Sequence, residues 1–198
     1  MRKLITDGLL LLIALLLTGC ADNKARLTIT PYTMSEKELE LISKTDVEKI
    51  DFFHLNGSLA KDHDLRFSVE VYKNGELAGE LLSTHSEAKT EFDDTLLSFA
   101  IERFEEDEQR FLKLIAGIPS GKVTTNYDNT MTATTSTSLI KEKVQLELGK
   151  PVYLSAWAGT TKNELEVIGS WNGGFPKGME DKELAFLYKV VWTDEMTE

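Results

Sequence analysis

Apolar and polar residues alternate along several stretches of the chain, and the clearest alternation lies between Leu65 and Leu82. Its first half places four apolar residues between polar ones: Leu65, Phe67, Val69 and Val71. A period of two is typical of a strand with one buried face. The following Lys73-Asn74-Gly75 predicts a turn into a second strand. We favour a three-residue loop with a left-handed Gly75, because pairing Val71 with Leu77 then gathers the apolar residues on one face.

Other segments also predict strands by their short apolar runs and turn residues: Leu27–Thr30, Ile50–Leu55, Val152–Ala158 and Leu184–Trp192. Asn56-Gly57 predicts a turn after the second of these strands. The Thr- and Ser-rich segment Thr124–Ser138 indicates an exposed loop or an edge strand. Gly159–Lys182 contains several glycines and is expected to be an irregular excursion.

One short helix is predicted near the N-terminus. Ser35 is a suitable N-cap, and Glu38 three residues later completes a capping-box pattern. Residues 94–117 allow two interpretations, since their apolar residues also fit a helical spacing. A helix would place Glu108 on its apolar stripe, and we therefore favour a hairpin whose turn is Glu105–Glu108.

Many short strands with no regular alternation of strand and helix predict a mainly β fold. We expect a β-sandwich, immunoglobulin-like in the broad sense, with one short N-terminal helix. The sandwich is expected to be a single domain over residues 27–193, followed by an acidic tail at 194–198.

The first twenty residues have the organisation of an export signal. Met1-Arg2-Lys3 precedes the apolar run Leu9–Leu17, which ends at Thr18-Gly19-Cys20. Nine apolar residues make about 14 Å of helix, whereas a spanning helix needs roughly 20 residues. A short apolar run with basic residues before it predicts a cleaved signal peptide at residues 1–19. An ordinary signal peptide and an uncleaved anchor are the alternatives.

The segment Leu17-Thr18-Gly19-Cys20 resembles the lipobox of bacterial lipoproteins. The resemblance implies cleavage between Gly19 and Cys20 and a diacylglyceryl group on the Cys20 sulfur. Two acyl chains hold a protein stably at a membrane, whereas one holds it only marginally. Residues 20–26 would then be a lipidated tether, and the six residues Ala21–Arg26 span at most ~20 Å when extended. The expected partner is thus the membrane, reached through the lipid, on the extracytoplasmic face.

Charge and cysteine content exclude several classes of function. The formal net charge is −11, and the leader contributes +1, so the mature chain carries −12. An acidic surface disfavours nucleic acid, which requires a basic footprint, and is repelled by anionic lipid. Cys20 is the only cysteine, so its lipidation would leave no disulfide and no thiolate metal site. We expect no cofactor.

Histidines and acidic residues supply the candidate reactive groups. Lys61-Asp62-His63-Asp64 places a histidine between carboxylates, and His54 and His85 lie in other segments. The sequence contains no G-x-S-x-G, no H-E-x-x-H and no phosphate-binding glycine loop. Residues 61–64 could hold a metal, but we interpret them as a polar turn before the Leu65 strand. We interpret His54 and His85 as structural and predict no catalytic residue and no metal site.

Two further segments have candidate binding chemistry. Glu105-Glu106-Asp107-Glu108, with Asp93 and Asp94 nearby, carries oxygen ligands that suit Ca²⁺ but lacks the spacing of an EF-hand loop. A solvated turn is the favoured interpretation. Trp171 and Phe175 lie in a glycine-rich loop, and exposed aromatic residues on loops stack on sugars or contact proteins. The alternative is that both residues pin this loop onto the sandwich.

The order of a helix, a strand, the Lys73-Asn74-Gly75 hairpin and paired late strands resembles small lipoproteins of Gram-positive bacteria that have no assigned function. This resemblance implies no catalytic residues. We expect a lipid-anchored extracytoplasmic envelope protein, not an enzyme, with a binding or structural role towards a protein or glycan. The alternatives are an envelope hydrolase or metal-dependent enzyme, and a calcium-dependent binding module.

Overall fold

The computed structural model describes residues 26–45, 47–86, 89–162, 165–166, 168–169 and 172–194. The leader, the cleavage site at Gly19 and Cys20, and Trp171 lie outside these residues. Most of the tether and the last four residues of the acidic tail lie outside them as well. The described ranges contain no helix with the length and apolar composition of a membrane-spanning segment.

The described residues form one short helix and eleven strands. The helix α1 spans Glu36–Ile42. The strands are β1 (Leu27–Pro31), β2 (Val47–Ser58), β3 (Asp64–Lys73), β4 (Glu76–His85), β5 (Glu91–Glu106), β6 (Gln109–Ile118), β7 (Gly121–Asp128), β8 (Ala133–Ser138), β9 (Val144–Gln145), β10 (Pro151–Thr160) and β11 (Leu184–Thr193).

The strands form two sheets that pack face to face. The six-stranded sheet has the order β7-β6-β5-β2-β1-β9, and the five-stranded sheet has the order β4-β3-β11-β10-β8. All pairings between these strands are antiparallel. The predicted β-sandwich with one short N-terminal helix is therefore confirmed. The segment Thr124–Ser138 becomes two edge strands, β7 and β8, one in each sheet.

The core between the sheets follows the period-two pattern of the sequence. The four apolar residues that alternate along β3 are only 0–4% exposed: Leu65, Phe67, Val69 and Val71. From the opposite sheet Phe99 stacks on Tyr188, with ring centroids 5.4 Å apart. The Tyr188 hydroxyl donates a hydrogen bond of 3.0 Å to the carbonyl of Gly117 and so joins the two sheets. Burying a large apolar side chain contributes about 1.5–3 kcal/mol, so this face dominates the stability.

Residues 94–117 form the hairpin of β5 and β6, and the helical alternative is wrong. The turn consists of Asp107 and Glu108, with φ values of 49° and 65°. Two positive φ values in a two-residue turn match the twist of the adjoining strands. Beyond the turn, Leu112 and Leu114 point into the core, as alternation requires.

The turn between β3 and β4 differs from the predicted one by a single residue. Asn74 and Gly75 have φ values of 50° and 78° and make a two-residue turn closed by Lys73 and Glu76. A bulge at Ala78 then shifts the register, so that Leu81 lies opposite Val69. The expected pairing of Val71 with Leu77 is wrong, and Leu77 remains 59% exposed.

The predicted turn at Asn56-Gly57 is also wrong, because β2 continues through it to Ser58. Gly57 has a φ of 122° and lies opposite Leu27 at the beginning of β1. A Cβ atom at Gly57 would lie 1.7 Å from the carbonyl oxygen of Arg26. Glycine is therefore needed here for close approach of the first strand.

The excursion between β10 and β11 covers the outer face of the five-stranded sheet. It contributes to a second apolar cluster that consists of Tyr72, Leu139, Tyr153, Ala156, Ala158, Ile168, Met179, Ala185 and Leu187. Lys182 is 1% exposed, and its ammonium donates a hydrogen bond of 2.9 Å to the carbonyl of Glu166. The excursion was expected from Gly159, but β10 extends to Thr160; its described residues between 161 and 182 are irregular and act as a cover for this sheet.

Candidate functional site

An open apolar groove lies between α1 and the outer face of the six-stranded sheet. We call it the α1 groove, and its volume is about 430 Å³. It is lined by Tyr32, Met34, Glu38, Leu41, Ile42, Phe52, His54, Asp94 and Leu96. The helix provides one side, and β2 and the beginning of β5 provide the other. This volume lies within the range of about 300–1,000 Å³ found for ligand sites.

The helix that forms this groove is held by its first turn. The Ser35 hydroxyl accepts a hydrogen bond from the Glu38 amide, while the Glu38 carboxylate accepts one of 2.7 Å from the Ser35 amide. The predicted capping box is thus confirmed. The Glu38 carboxylate also accepts a hydrogen bond from the Tyr32 hydroxyl, which ties α1 to the end of β1.

These hydrogen bonds keep the Glu38 carboxyl charged. The bonds from the Ser35 side chain, the Tyr32 hydroxyl and the Ser35 backbone together lower the pKa of Glu38 to about 2. The hydrogen bond between Tyr32 and Glu38 raises the pKa of Tyr32, because the neighbouring carboxylate disfavours loss of the phenol proton. The groove therefore has a fixed negative charge beside its apolar lining.

The far side of the groove ends in a small polar network. The Asp94 amide donates a hydrogen bond of 2.8 Å to the Asn56 side chain, which donates one of 2.9 Å back to the Asp94 carboxylate. Nδ1 of His54 lies 3.8 Å from the same carboxylate. Asp94 has a φ of 42°, a conformation that Asp and Asn tolerate better than most residues. This geometry places a second, exposed carboxylate at the rim.

The apolar lining includes leucines that face solvent. Leu41 of α1 is 70% exposed and Leu96 of β5 is 47% exposed. Within α1 no residue is buried, although Leu39, Leu41 and Ile42 make up almost half of its length. A concave surface with exposed leucines can accept apolar side chains from another molecule.

The loop with the predicted partner-binding residues lies on the other sheet. Phe175 packs against the rings of Tyr72 and Tyr153, with centroid distances of 5.7 Å and 5.5 Å, and is 49% exposed. The amide of Gly173 donates a hydrogen bond of 3.0 Å to the carbonyl of Leu139. Phe175 thus contacts the sandwich and also presents half of its surface. Trp171 lies outside the described residues.

Below Phe175 lies a nearly buried charged cluster. The ammonium of Lys189 contacts the carboxylates of Glu70 and Glu80, and the Tyr72 hydroxyl donates a hydrogen bond of 2.9 Å to Glu70. Burial alone would lower the pKa of Lys189, but the hydrogen bonds to both carboxylates outweigh burial and raise it. Burial, followed by the hydrogen bond to Glu70, raises the pKa of Tyr72. The Arg66 guanidinium also pairs with the Glu80 carboxylate, so two cations balance two carboxylates, and the cluster is a structural support for the outer face.

A family model for the YgaN domain matches residues 28–191. The chain belongs to the YgaN domain family. The matched segment begins in β1 and ends in β11, so the α1 groove and the Phe175 loop both lie inside the YgaN domain. Neither the curated proteins nor the solved structures gave a match.

The three histidines of this YgaN domain have three different sets of partners. His54 lies beside Asp94 at the groove, whereas Nδ1 of His85 lies 3.0 Å from the Asp64 carboxylate. His63 accepts a hydrogen bond of 2.8 Å from the indole nitrogen of Trp192. Asp64, inside the sequence cluster at residues 61–64, also accepts hydrogen bonds from the backbone amide and the hydroxyl of Ser86.

The acidic segment Glu105–Glu108 forms the end of β5 and the turn into β6. All four of its side chains are exposed. Asp93 and Asp94 lie at the other end of β5. Across the part of the chain that the structure describes, no group of three or more His, Cys, Asp or Glu residues has the arrangement of a metal site.

Sequence patterns did not indicate the α1 groove. Its three contributing segments are separated by up to about sixty residues along the chain, and only the antiparallel order β1-β2-β5 brings them together. The available signal was the high apolar content of the capped helix. Of the three large apolar residues of this helix, Leu41 and Ile42 line the groove.

Proposed function

We propose that this YgaN domain is a lipid-anchored extracytoplasmic protein that binds a partner at the cell envelope without catalysing a reaction. The membrane part of this proposal is supported by the lipobox-like segment Leu17–Cys20. The binding part is supported by the α1 groove, which is the single structural observation that carries it. The groove combines exposed leucines with a concave shape, and such patches mark interaction sites.

The proposed anchor would keep the domain close to the bilayer. Only residues 21–26 separate Cys20 from β1, a distance of at most ~20 Å when extended. Tyr32 at the groove follows the beginning of β1 by five residues, or about 17 Å along an extended strand. An anchored domain would therefore present the groove within a few tens of ångströms of the membrane.

A second candidate surface is the Phe175 loop, which the half-exposed ring favours. Tyr72 and Tyr153 hold this ring from below, so a partner that stacked on it would meet a fixed aromatic surface. Fixed aromatic residues lose little conformational entropy on binding and often dominate interfaces. Protein and glycan partners both suit such a surface.

Membrane fractionation tests the proposed anchor. We expect high salt to leave the protein on membranes and detergent to release it, because a net charge of −12 gives no electrostatic attraction to anionic lipid. Replacing the modified cysteine, Cys20→Ala, should remove the lipid signal seen by mass spectrometry of the purified protein. Release of the unaltered protein by salt alone, or a free thiol at Cys20, would contradict the proposal.

A further inference from the structure

We propose that the α1 groove accepts large apolar side chains from a basic amphipathic segment of a partner protein. This inference rests on the binding role proposed above and specifies the chemistry of the occupant. Three observations support it. The groove has an exposed apolar lining, it has acidic residues on both sides, and its charge disfavours a second copy of the chain or an anionic amphiphile as the occupant.

The lining suits side chains that arrive on another backbone. Leu41 and Leu96 are 70% and 47% exposed on opposite sides of the groove, and Phe52 lies on the strand between them. Since both leucines are exposed, a peptide can reach the lining from solvent. Docking of amphipathic segments into apolar grooves is a recurrent mode of peptide recognition. Met34 adds an adaptable surface that tolerates different apolar partners.

Both sides of the groove are acidic. The nine lining residues include two carboxylates, Glu38 and Asp94, and no lysine or arginine. Around them α1 carries three glutamates and one lysine, and β5 opens with Glu91, Asp93 and Asp94. The Asp94 side chain is 73% exposed and so is accessible to a positive group. Opposite charges across an interface accelerate encounter and select the correct partner.

Charge also argues against the other occupants of an apolar groove. A second copy of the chain would bring its own acidic α1 and β5 against those of the first copy. An anionic amphiphile would place its head group beside Glu38, whose carboxylate is held in the charged form by Ser35 and Tyr32. Like charges brought together across an interface disfavour binding. An apolar segment flanked by lysine or arginine avoids both conflicts.

The test uses two labelled peptides of matched apolar pattern. The full protein, purified from membranes, is placed in phosphatidylcholine vesicles, which carry no net charge. A fluorescein-labelled helical peptide of leucine and lysine is titrated, and its anisotropy is compared with that on protein-free vesicles. The second peptide has glutamate in place of every lysine. We expect saturable binding of the basic peptide only.

Leucine variants locate the binding surface. Leu41→Ser and Leu96→Ser should each weaken binding of the basic peptide by about tenfold, because each removes apolar surface that the peptide would bury. Leu77→Ser is the matched control, because Leu77 is 59% exposed on the other sheet. All three residues are exposed, so their replacement should leave the fold unchanged. Equal weakening by Leu77→Ser would overturn the assignment to the groove.

A charge variant tests the acidic rim separately. Asparagine tolerates the positive φ and keeps a side-chain oxygen that accepts from Asn56. Asp94→Asn should weaken binding of the basic peptide about two- to fivefold. Asp107→Asn is the control, since Asp107 is also exposed and has a φ of 49°. No difference between these variants would overturn the role of charge.

The remaining outcomes separate this inference from the proposed function. A photo-crosslinking residue at position 41 in intact cells that captured an acidic partner would overturn the basic chemistry, while the binding role would stand. Capture of a second copy at this position would likewise overturn it. If neither peptide bound and no crosslink formed, both the inference and the groove's binding role would be wrong, whatever fractionation showed about the anchor.

Discussion

Lys189 on β11 donates a hydrogen bond to the Glu70 carboxylate on the neighbouring strand β3. The side chains are only 13% and 8% exposed. The carboxylate of Glu80 on β4 lies 2.9 Å from the same ammonium, so Lys189 pairs with two carboxylates. A nearly buried charge is costly without a partner, so these groups depend on one another.

Lys189→Met should therefore lower the free energy of unfolding at neutral pH by about 2–4 kcal/mol, because Glu70 loses its cation and Glu80 keeps only Arg66. Urea unfolding followed by tryptophan fluorescence measures this loss. Lys150→Met is the control, since the Lys150–Glu147 ion pair is about two-thirds exposed and should contribute well under ~1 kcal/mol. Similar losses in the two variants would contradict the dependence of Glu70 and Glu80 on Lys189.

The same cluster predicts how stability depends on pH. Burial acts to raise the pKa of Glu80, but hydrogen bonds from Ser68 and Lys189 outweigh burial and lower it below 4.5. Its stabilisation is therefore present above pH 4.5 and is lost as the pH falls through the folded-state pKa. The pKa of Lys189 is raised above 10.5, so its stabilisation is lost only as the pH rises through that higher value. Unfolding free energies measured across pH should fall at both ends, and Glu80→Gln should reduce the acid slope.

Two glycines on one hairpin give a matched test of the β3–β4 turn. Gly75 has a φ of 78°, and a Cβ there would lie 2.4 Å from the carbonyl oxygen of Glu180. Gly75→Ala should cost about 1–3 kcal/mol, since the backbone conformation is strained and the excursion must move. Gly79→Ala meets nothing within 4 Å and should be neutral or slightly stabilising. Equal effects in thermal unfolding would show that the excursion does not rest on this turn.

The sequence predicted the strands better than their register. The alternation in β3 identified its buried face, because that pattern depends on local spacing alone. It did not predict the bulge at Ala78, which corrects the register after a two-residue turn. Nor did it distinguish Asn56-Gly57 as strand from turn, because the need for glycine comes from the carbonyl of Arg26, the residue that precedes β1. The register of paired strands and the close approach of two backbones depend on tertiary contacts, which a local sequence pattern does not encode.

The candidate surfaces were predictable to different degrees. Phe175 was identified because an aromatic residue in a glycine-rich loop is a local signal. The α1 groove was not, since Tyr32, Leu41 and Leu96 come from separate segments that only the sheet order assembles. The capping box of Ser35 and Glu38 was predicted, whereas the Tyr32 contact that orients the helix depends on where β1 ends.

The Glu38 carboxyl should titrate at unusually low pH. The bonds from Ser35 and Tyr32 lower its pKa to about 2, so the charged form stabilises α1 above pH 4.5 and this contribution is lost between pH 4.5 and 2. Side-chain carbon shifts in NMR spectra recorded across pH report this titration directly. Ser35→Ala removes the largest contribution and should raise the pKa of Glu38. An unchanged titration in that variant would show that the capping box does not hold the carboxylate.

Phe175→Ala tests whether the excursion loop supports the outer face, binds a partner, or does both. Loss of the contacts with Tyr72 and Tyr153 should lower the free energy of unfolding by about 1 kcal/mol, because aromatic pairs contribute on this order beyond buried area. If the exposed half of the ring binds, crosslinking on intact cells followed by mass spectrometry should show weaker partner capture. Phe104→Ala is the control, since Phe104 stacks on Phe111 at 5.2 Å on the other sheet. Equal capture by Phe175→Ala, Trp171→Ala and the control, at equal folding, would leave the loop with only its structural role.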